Sequence, residues 1–274
     1  MLTKNVVIAH RGASGYAPEH TFSSYDMSHF DMKADYIELD VQMTLDGEII
    51  IMHDETVERT AGLPGIIKEM TLEQIKQLDV GSWYNEKFPE LQQDFYAGQT
   101  IPTLEEVISR YGAVNYYIET KAPEVYPGME ERLVEILDRH QLLTPERLTG
   151  NQTVIQSFSL ESLIKVHNLV PGMPLLLLTK KEVLRNMTDD DLKQINHFVY
   201  AVGPSIKDLD QPLIERMHGI GFLVFPYTLN QPDDMTRLID AGIDGAFTNY
   251  ADRLRTAFNA ENSEIFEELN RSVD

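Results

Sequence analysis

Two short strings near the N-terminus, His10-Arg11-Gly12 and Glu38-Leu39-Asp40, carry residue types suited to proton transfer, anion binding and cation binding. Glu38 and Asp40 are two apart, so they share one face of an extended strand. Glu119 and Lys121 repeat that spacing after Tyr116–Ile118. Three carboxylates converging on one pocket cannot all stay charged without compensation. A divalent cation would supply it. All-oxygen ligation by Glu38, Asp40 and Glu119 suits Mg²⁺ or Ca²⁺ rather than Zn²⁺. The competing reading is a structural ion network with Arg11 and Lys121. His10 and His53 are of the residue type that most often serves as general base and general acid. Either could instead ligate a metal, or be a buried histidine satisfied by a backbone carbonyl. Arg11 offers a planar fork of donors for phosphate oxygens, and Lys121 a second positive point. His29, His140, His167, His197 and His218 receive no role.

The elements that position these groups follow from short apolar runs bounded by polar residues or glycine. Strands are expected near Val6–Ala9, Tyr36–Val41, Ile49–Met52, Tyr116–Ile118, Val154–Gln156, Leu175–Leu178, Phe198–Ala201, Phe222–Phe225 and Gly245–Thr248. Amphipathic helical patterns lie between most of them, clearest at Met129–His140, Leu160–Asn168, Leu213–His218 and Asp233–Ala241. Repeated alternation of this kind predicts an α/β fold, a (β/α)8 TIM barrel. The tight-turn signal Asp46-Gly47 makes Ile49–Met52 an antiparallel hairpin partner of the second barrel strand, which leaves eight barrel strands. The chemistry-bearing residues then leave the C-terminal ends of strands, where barrel enzymes act. Residues 1–274 form one domain in this reading, with 55–100 an insertion subdomain after the second barrel strand, over the strand C-terminal ends. That segment is too long for an ordinary connection. Its aromatics either wall a pocket or pack a small core of their own.

Composition narrows the function classes. The net charge of −21 repels nucleic acid and anionic membrane at long range, so no nucleic-acid partner is expected. An anionic substrate would need local positive charge. There is no cysteine, which excludes disulfides and thiolate chemistry. No run approaches the roughly 20 apolar residues of a membrane span. The N-terminus shows no charged region followed by a long apolar core, so the expected location is cytoplasmic. The acidic C-terminal segment Glu261–Asn270 is expected to be a solvated helix.

The ordered strings His10-Arg11-Gly12, Pro18-Glu19-His20-Thr21, Ile37-Glu38-Leu39-Asp40-Val41, Thr44-x-Asp46-Gly47 and His53-Asp54 closely resemble the glycerophosphodiester phosphodiesterase family. Arg59-Thr60, Gly81-Ser82-Trp83, Ile118-Glu119-x-Lys121, Gln156-Ser157-Phe158 and Gly242-Ile243-Asp244-Gly245 continue the match along essentially the whole chain. The resemblance implies metal binding by Glu38, Asp40 and Glu119, acid/base work by His10 and His53, and phosphate contacts from Arg11 and Lys121. It also implies a place for Glu19 at the pocket entrance, on substrate or metal-site water. The expected reaction is metal-dependent cleavage of a small glycerophosphodiester to sn-glycerol 3-phosphate and an alcohol. Three positions depart from the family pattern: His20 stands where Asn is common, Tyr227 where Trp is common, and Asn249 where Asp is common. Two other readings compete. One is a lysophospholipase D-like enzyme, or another phospholipid-head-group phosphodiesterase, with Trp83, Phe88, Phe95 and Tyr96 building an apolar groove. The other is a non-catalytic barrel that binds phosphorylated ligands.

Overall fold

A computed structural model describes residues 4–180 and 182–260. Nine strands form one sheet: β1 (Val6–Ala9), β2 (Tyr36–Met43), β3 (Ile49–Ile51), β4 (Tyr116–Thr120), β5 (Thr153–Ser157), β6 (Leu175–Thr179), β7 (Ala201–Pro204), β8 (Leu223–Val224) and β9 (Gly245–Thr248). The parallel order is β8-β7-β6-β5-β4-β2-β1-β9, and β3 pairs β2 antiparallel. Two backbone hydrogen bonds join the ends of that order, from Asp244 N–H to Val224 O at 3.1 Å and from Phe247 N–H to Pro226 O at 3.0 Å. The parallel strands therefore wrap into a nearly closed eight-stranded barrel with helices between them. The hairpin reading of Ile49–Met52 holds. One strand differs in place: the expected Phe198–Ala201 begins instead at Ala201. Phe198 packs on the outer core and Val199 N–H bonds back to Ile195, so the helix end claims those residues. Glu261–Asn270 lies outside the described residues. No helix among the described residues is long and apolar enough to cross a membrane.

Alternation along each strand splits the core in two. Val7, Leu175 and Leu177 face the helices, whereas Val6, Ile8, Leu176 and Leu178 fill the barrel interior. Tyr36 and Tyr117 also lie in the interior cluster. Two residues further along the same strand faces stand Glu38 and Glu119, and beyond them Asp40 and Lys121. The barrel thus has an apolar floor and a charged upper layer. Register aligns that layer, because Asp40 pairs Glu119 across β2 and β4, and Glu119 pairs Gln156 across β4 and β5.

The segment 55–100 packs two clusters of its own. Val57, Ile67, Ile75 and Val80 pack with Ile50 and Met52 of the hairpin. Tyr84 and Tyr96 pack around Ala17, with Trp83 and Phe88 against them. Its aromatic side chains are consumed in that packing, apart from Phe95, which is exposed.

The turn after β1 is tightly constrained. Arg11 and Gly12 both have positive φ, 59° and 79°. A Cβ on Gly12 would lie 2.5 Å from Ser24 Oγ and 2.7 Å from the Ser24 carbonyl carbon. The helix Phe22–Asp26 therefore sits against bare backbone, which brings Arg11 back over the barrel mouth. Gly12→Ala is expected to cost about 1–3 kcal/mol through strain and overpacking. Urea denaturation of the two proteins would measure it.

Candidate active site

The carboxylates at the barrel mouth are almost inaccessible: Glu38 and Asp40 are 1% exposed and Glu119 7%. Arg11 hydrogen-bonds one of them, Glu38, and also the neighbouring Glu19. Its backbone N–H donates to Glu38 Oε2 at 2.7 Å, and its guanidinium donates to Glu19 Oε1 at 2.8 Å. Its Nε lies 3.3 Å from Asp40 Oδ2 but makes no hydrogen bond, so that donor is spare. Lys121 Nζ is 2.8 Å from Glu119 Oε1 and 3.9 Å from Asp40 Oδ1. Glu38, Asp40 and Glu119 thus face two cations, with one negative charge in excess.

That excess appears in the titration of the group. Burial and the charges of Asp40 and Glu119 push Glu38 well above the usual carboxylate range. Burial and Asp40 push Glu119 up to about 8. Burial would raise Asp40 too, but Lys121, His20 and Arg11 hold it well below its ordinary value. Uneven titration is what burial and mutual repulsion produce in crowded carboxylates. Gln156 points the same way. Its Nε2 donates to Glu38 Oε1 at 3.1 Å, while its buried Oε1 has no partner. A row of carboxylates beside an unpartnered amide oxygen fits a hard divalent cation.

Among the described residues, the group of metal-capable side chains whose ligand atoms all lie within 4.8 Å of one another is His20, Glu38 and Asp40, and Glu119 is not part of it. Both ring nitrogens of His20 are already engaged. Nε2 lies 2.8 Å from Asp40 Oδ2 and Nδ1 lies 2.8 Å from Tyr25 Oη. One consistent arrangement has the Tyr25 hydroxyl donating to Nδ1 and Nε2–H donating to Asp40. His20 then orients a carboxylate rather than ligating directly, and its own N–H is anchored to Arg11 O at 3.1 Å. This support was visible in the sequence only as a departure from the family pattern. Tyr25, on the helix after it, carried no signal.

The two histidines occupy different places. His10 Nδ1 is 2.8 Å from Asn249 Oδ1, so Nδ1 carries the proton and Nε2 is the free base. Burial and the Arg11 charge press its pKa down to about 3. His53 is a third exposed, and its Nδ1 is 2.6 Å from Asp54 Oδ1. Asp54 is held in turn by Arg59, which also donates to both oxygens of Glu19. Burial would raise Glu19, but the Arg59 hydrogen bonds and the Arg11 charge bring it down to about 2. The chain Arg11–Glu19–Arg59–Asp54–His53 therefore ties the turn after β1 to the loop after β3.

Two cavities meet here. The inner one, about 240 Å³, is lined by His10, Arg11, Glu38, Gln156, Tyr227 and Phe247 among others. The outer one, about 550 Å³, is lined by Asp54, Glu55, Glu124 and Lys180 among others. His53, Glu119, Lys121 and Phe158 border both. Trp83, Phe88, Phe95 and Tyr96 line neither, so the expected groove of insertion aromatics is not where these cavities lie. The aromatic wall comes instead from Phe158 and Tyr227, whose rings meet edge-on at 5.7 Å.

Cations, imidazoles and crowded carboxylates at the C-terminal mouth of a parallel barrel define an enzyme class that handles phosphate esters. The model of the glycerophosphoryl diester phosphodiesterase family matches residues 10–253, and this chain belongs to that family. It is 50% identical over 248 residues to a glycerophosphodiester phosphodiesterase of Bacillus subtilis, covering 90% of this chain and 84% of the relative. A phosphodiesterase from Oleispira antarctica, solved in complex with the product sn-glycerol-3-phosphate, superposes with a TM-score of 0.79 at 26% identity, over 93% of this chain and 96% of the other. A glycerophosphodiester phosphodiesterase from Agrobacterium tumefaciens shares the fold with a TM-score of 0.72 at 22% identity, over 92% and 99% of the two chains.

Replacing His20 tests its part in the carboxylate cluster. His20→Ala is expected to weaken divalent-cation binding by roughly 10- to 100-fold, as loss of an outer-shell partner does. His20→Asn, which keeps a donor for Asp40, is expected to recover part of it. Isothermal calorimetry with Mg²⁺ and Ca²⁺ reads both.

Proposed function

We propose that this protein hydrolyses glycerophosphodiesters to sn-glycerol 3-phosphate and an alcohol, with a divalent cation held by Glu38, Asp40 and Glu119. The observation that carries this reading is the meeting of the two cavities at His53, Glu119 and Lys121. A phosphodiester at that junction has its glycerol side in the inner cavity and its alcohol side in the outer one. The product bound in the Oleispira relative supports the choice of substrate. When bound, the cation would stabilise negative charge growing on the phosphate oxygens.

The chain's own residues supply the remaining steps. Arg11 and Lys121 orient the phosphate and offset its charge from within a buried setting. His10, neutral and with Nε2 free, removes a proton from the attacking hydroxyl. His53, on the border of the outer cavity, delivers a proton to the departing alkoxide. The attacking hydroxyl is water, or a neighbouring glycerol hydroxyl that forms a cyclic phosphate as the alcohol leaves, with water then opening the cyclic ester to sn-glycerol 3-phosphate; orientation in the inner cavity favours the latter where the substrate has such a hydroxyl. Glu19 and Arg59 position Asp54, which fixes the ring of His53. The segment 55–100 acts as a subdomain that delivers Arg59 to this network.

His10→Asn and His53→Asn are each expected to lower kcat on glycerophosphocholine by about 10²- to 10⁴-fold, with KM little changed. Arg59→Ala is expected to lower kcat by roughly tenfold, and Arg59→Lys to restore part of it. Enzymatic detection of released sn-glycerol 3-phosphate measures all four. Near-full turnover by His53→Asn at saturating metal would overturn the two-histidine scheme.

A further inference from the structure

His10 borders the inner cavity just past β1, and two amides that follow other strands are linked to it in series. Asn249 follows β9, and its Oδ1 lies 2.8 Å from His10 Nδ1. Asn230 follows β8, on the loop that carries Tyr227 and Thr228 into the inner cavity. Its Oδ1 accepts from the backbone N–H of Asn249 at 2.9 Å and from Thr248 Oγ1 at 3.4 Å. The Asn249 carbonyl accepts from Gly15 N–H at 3.0 Å, and the Thr248 carbonyl from His10 N–H at 2.9 Å. Leu229 N–H donates to Phe247 O at 2.8 Å, which docks the Asn230 loop beside β9. Both backbone polar groups of Asn249 are therefore held where its side chain reaches the imidazole. Neither Asn230 nor Asn249 lines either cavity, so any effect on the reaction passes through His10.

We infer that Asn230 and Asn249 act in series as positioning residues for His10, setting which ring nitrogen carries its hydrogen and where the other is aimed. The inference rests on the proposed function, in which His10 takes a proton. A neutral imidazole has one N–H, and a fixed acceptor at Nδ1 holds it there and leaves the lone pair on Nε2. Asn249 does this without adding charge, unlike the Asp54 carboxylate at His53. Asn230 acts one step further back. The two hydrogen bonds it accepts hold the Thr248-Asn249 turn, and their loss frees the amide that fixes the ring. Both end on an oxygen that only accepts. A carboxylate of the same length keeps them, and an apolar side chain of similar size loses them. A base oriented by a third group, itself held in place, is the arrangement that makes an imidazole an efficient proton acceptor.

The test is nitrogen-15 NMR of the full chain, labelled at histidine, at neutral pH with saturating Mg²⁺. A ring nitrogen that bears hydrogen and one that bears a lone pair resonate far apart. The chain has eight histidines, and the His10 signals are those missing from His10→Gln. The wild type is expected to show the hydrogen on Nδ1. Asn249→Leu is expected to lose that pattern and to lower kcat on glycerophosphocholine by about 10²-fold, with KM changed by less than about twofold. Asn249→Asp is expected to restore hydrogen on Nδ1. Asn230→Leu is expected to show both tautomers and a kcat lowered roughly tenfold, and Asn230→Asp to regain most of the loss. Hydrogen on Nε2 in the wild type overturns the inference with no variant needed. So does a spectrum left unchanged by Asn249→Leu, and a spectrum and kcat left unchanged by Asn230→Leu remove Asn230 from the series. A wild type with the expected spectrum and no glycerophosphocholine turnover would count against the proposed function and leave the setting of the tautomer standing.

Discussion

Burial of Glu38, Asp40 and Glu119 on adjacent strands is the constraint on which the rest of the site depends. Neighbouring parallel strands lie about 4.8 Å apart. Two carboxylates at roughly that distance repel by about 3 kcal/mol even at an effective dielectric near 20. The surrounding structure answers that repulsion from several directions. Arg11 turns back through a left-handed residue to meet Glu38, Glu19 and Asp40. Lys121 reaches Glu119, and His20 holds Asp40. These contacts still leave an excess negative charge, which a bound cation would offset in the proposed reading. The same arrangement makes the mouth of a protein with net charge −21 able to hold a phosphate.

The two imidazoles divide their work by place. His10 is enclosed and keeps its free nitrogen through a neutral amide, Asn249. His53 is more open and is held by a carboxylate, Asp54. In the proposed scheme the inner histidine takes a proton and the outer one gives it where the alcohol leaves. Phe158 stands where the two cavities come together. Its ring faces Tyr227 edge-on, with Lys121 Nζ 6.0 Å away.

Much of this was legible in the sequence because strand periodicity is simple. Tyr36, Glu38 and Asp40 alternate with Ile37, Leu39 and Val41, and that pattern alone puts the two acids on one face. Glu119 and Lys121 obey the same rule on β4. Asp46-Gly47 correctly made β3 a hairpin partner of β2 rather than a barrel strand. What the sequence did not reveal depends on chain reversal or on contacts between distant residues. His20 meets Asp40 only because Arg11 and His20 both adopt positive φ and fold the loop back. Asn249 meets His10 only because β9 closes against β1. The apolar groove was sought among the insertion aromatics, since Trp83, Phe88 and Tyr96 look available in a loop. They fill a local core around Tyr84 and Ala17 instead, because the segment must bury its own apolar side chains.

The central claim, that the buried carboxylates hold a cation which the phosphate chemistry requires, is tested most directly by calorimetric titration of chelator-treated protein with Mg²⁺ and Ca²⁺, alongside assay of glycerophosphocholine hydrolysis at each metal concentration. The account predicts one ion bound per chain, activity that rises in step with occupancy, and loss of both in Asp40→Asn. Full hydrolysis by metal-free protein, or ion binding unchanged by Asp40→Asn, would contradict it.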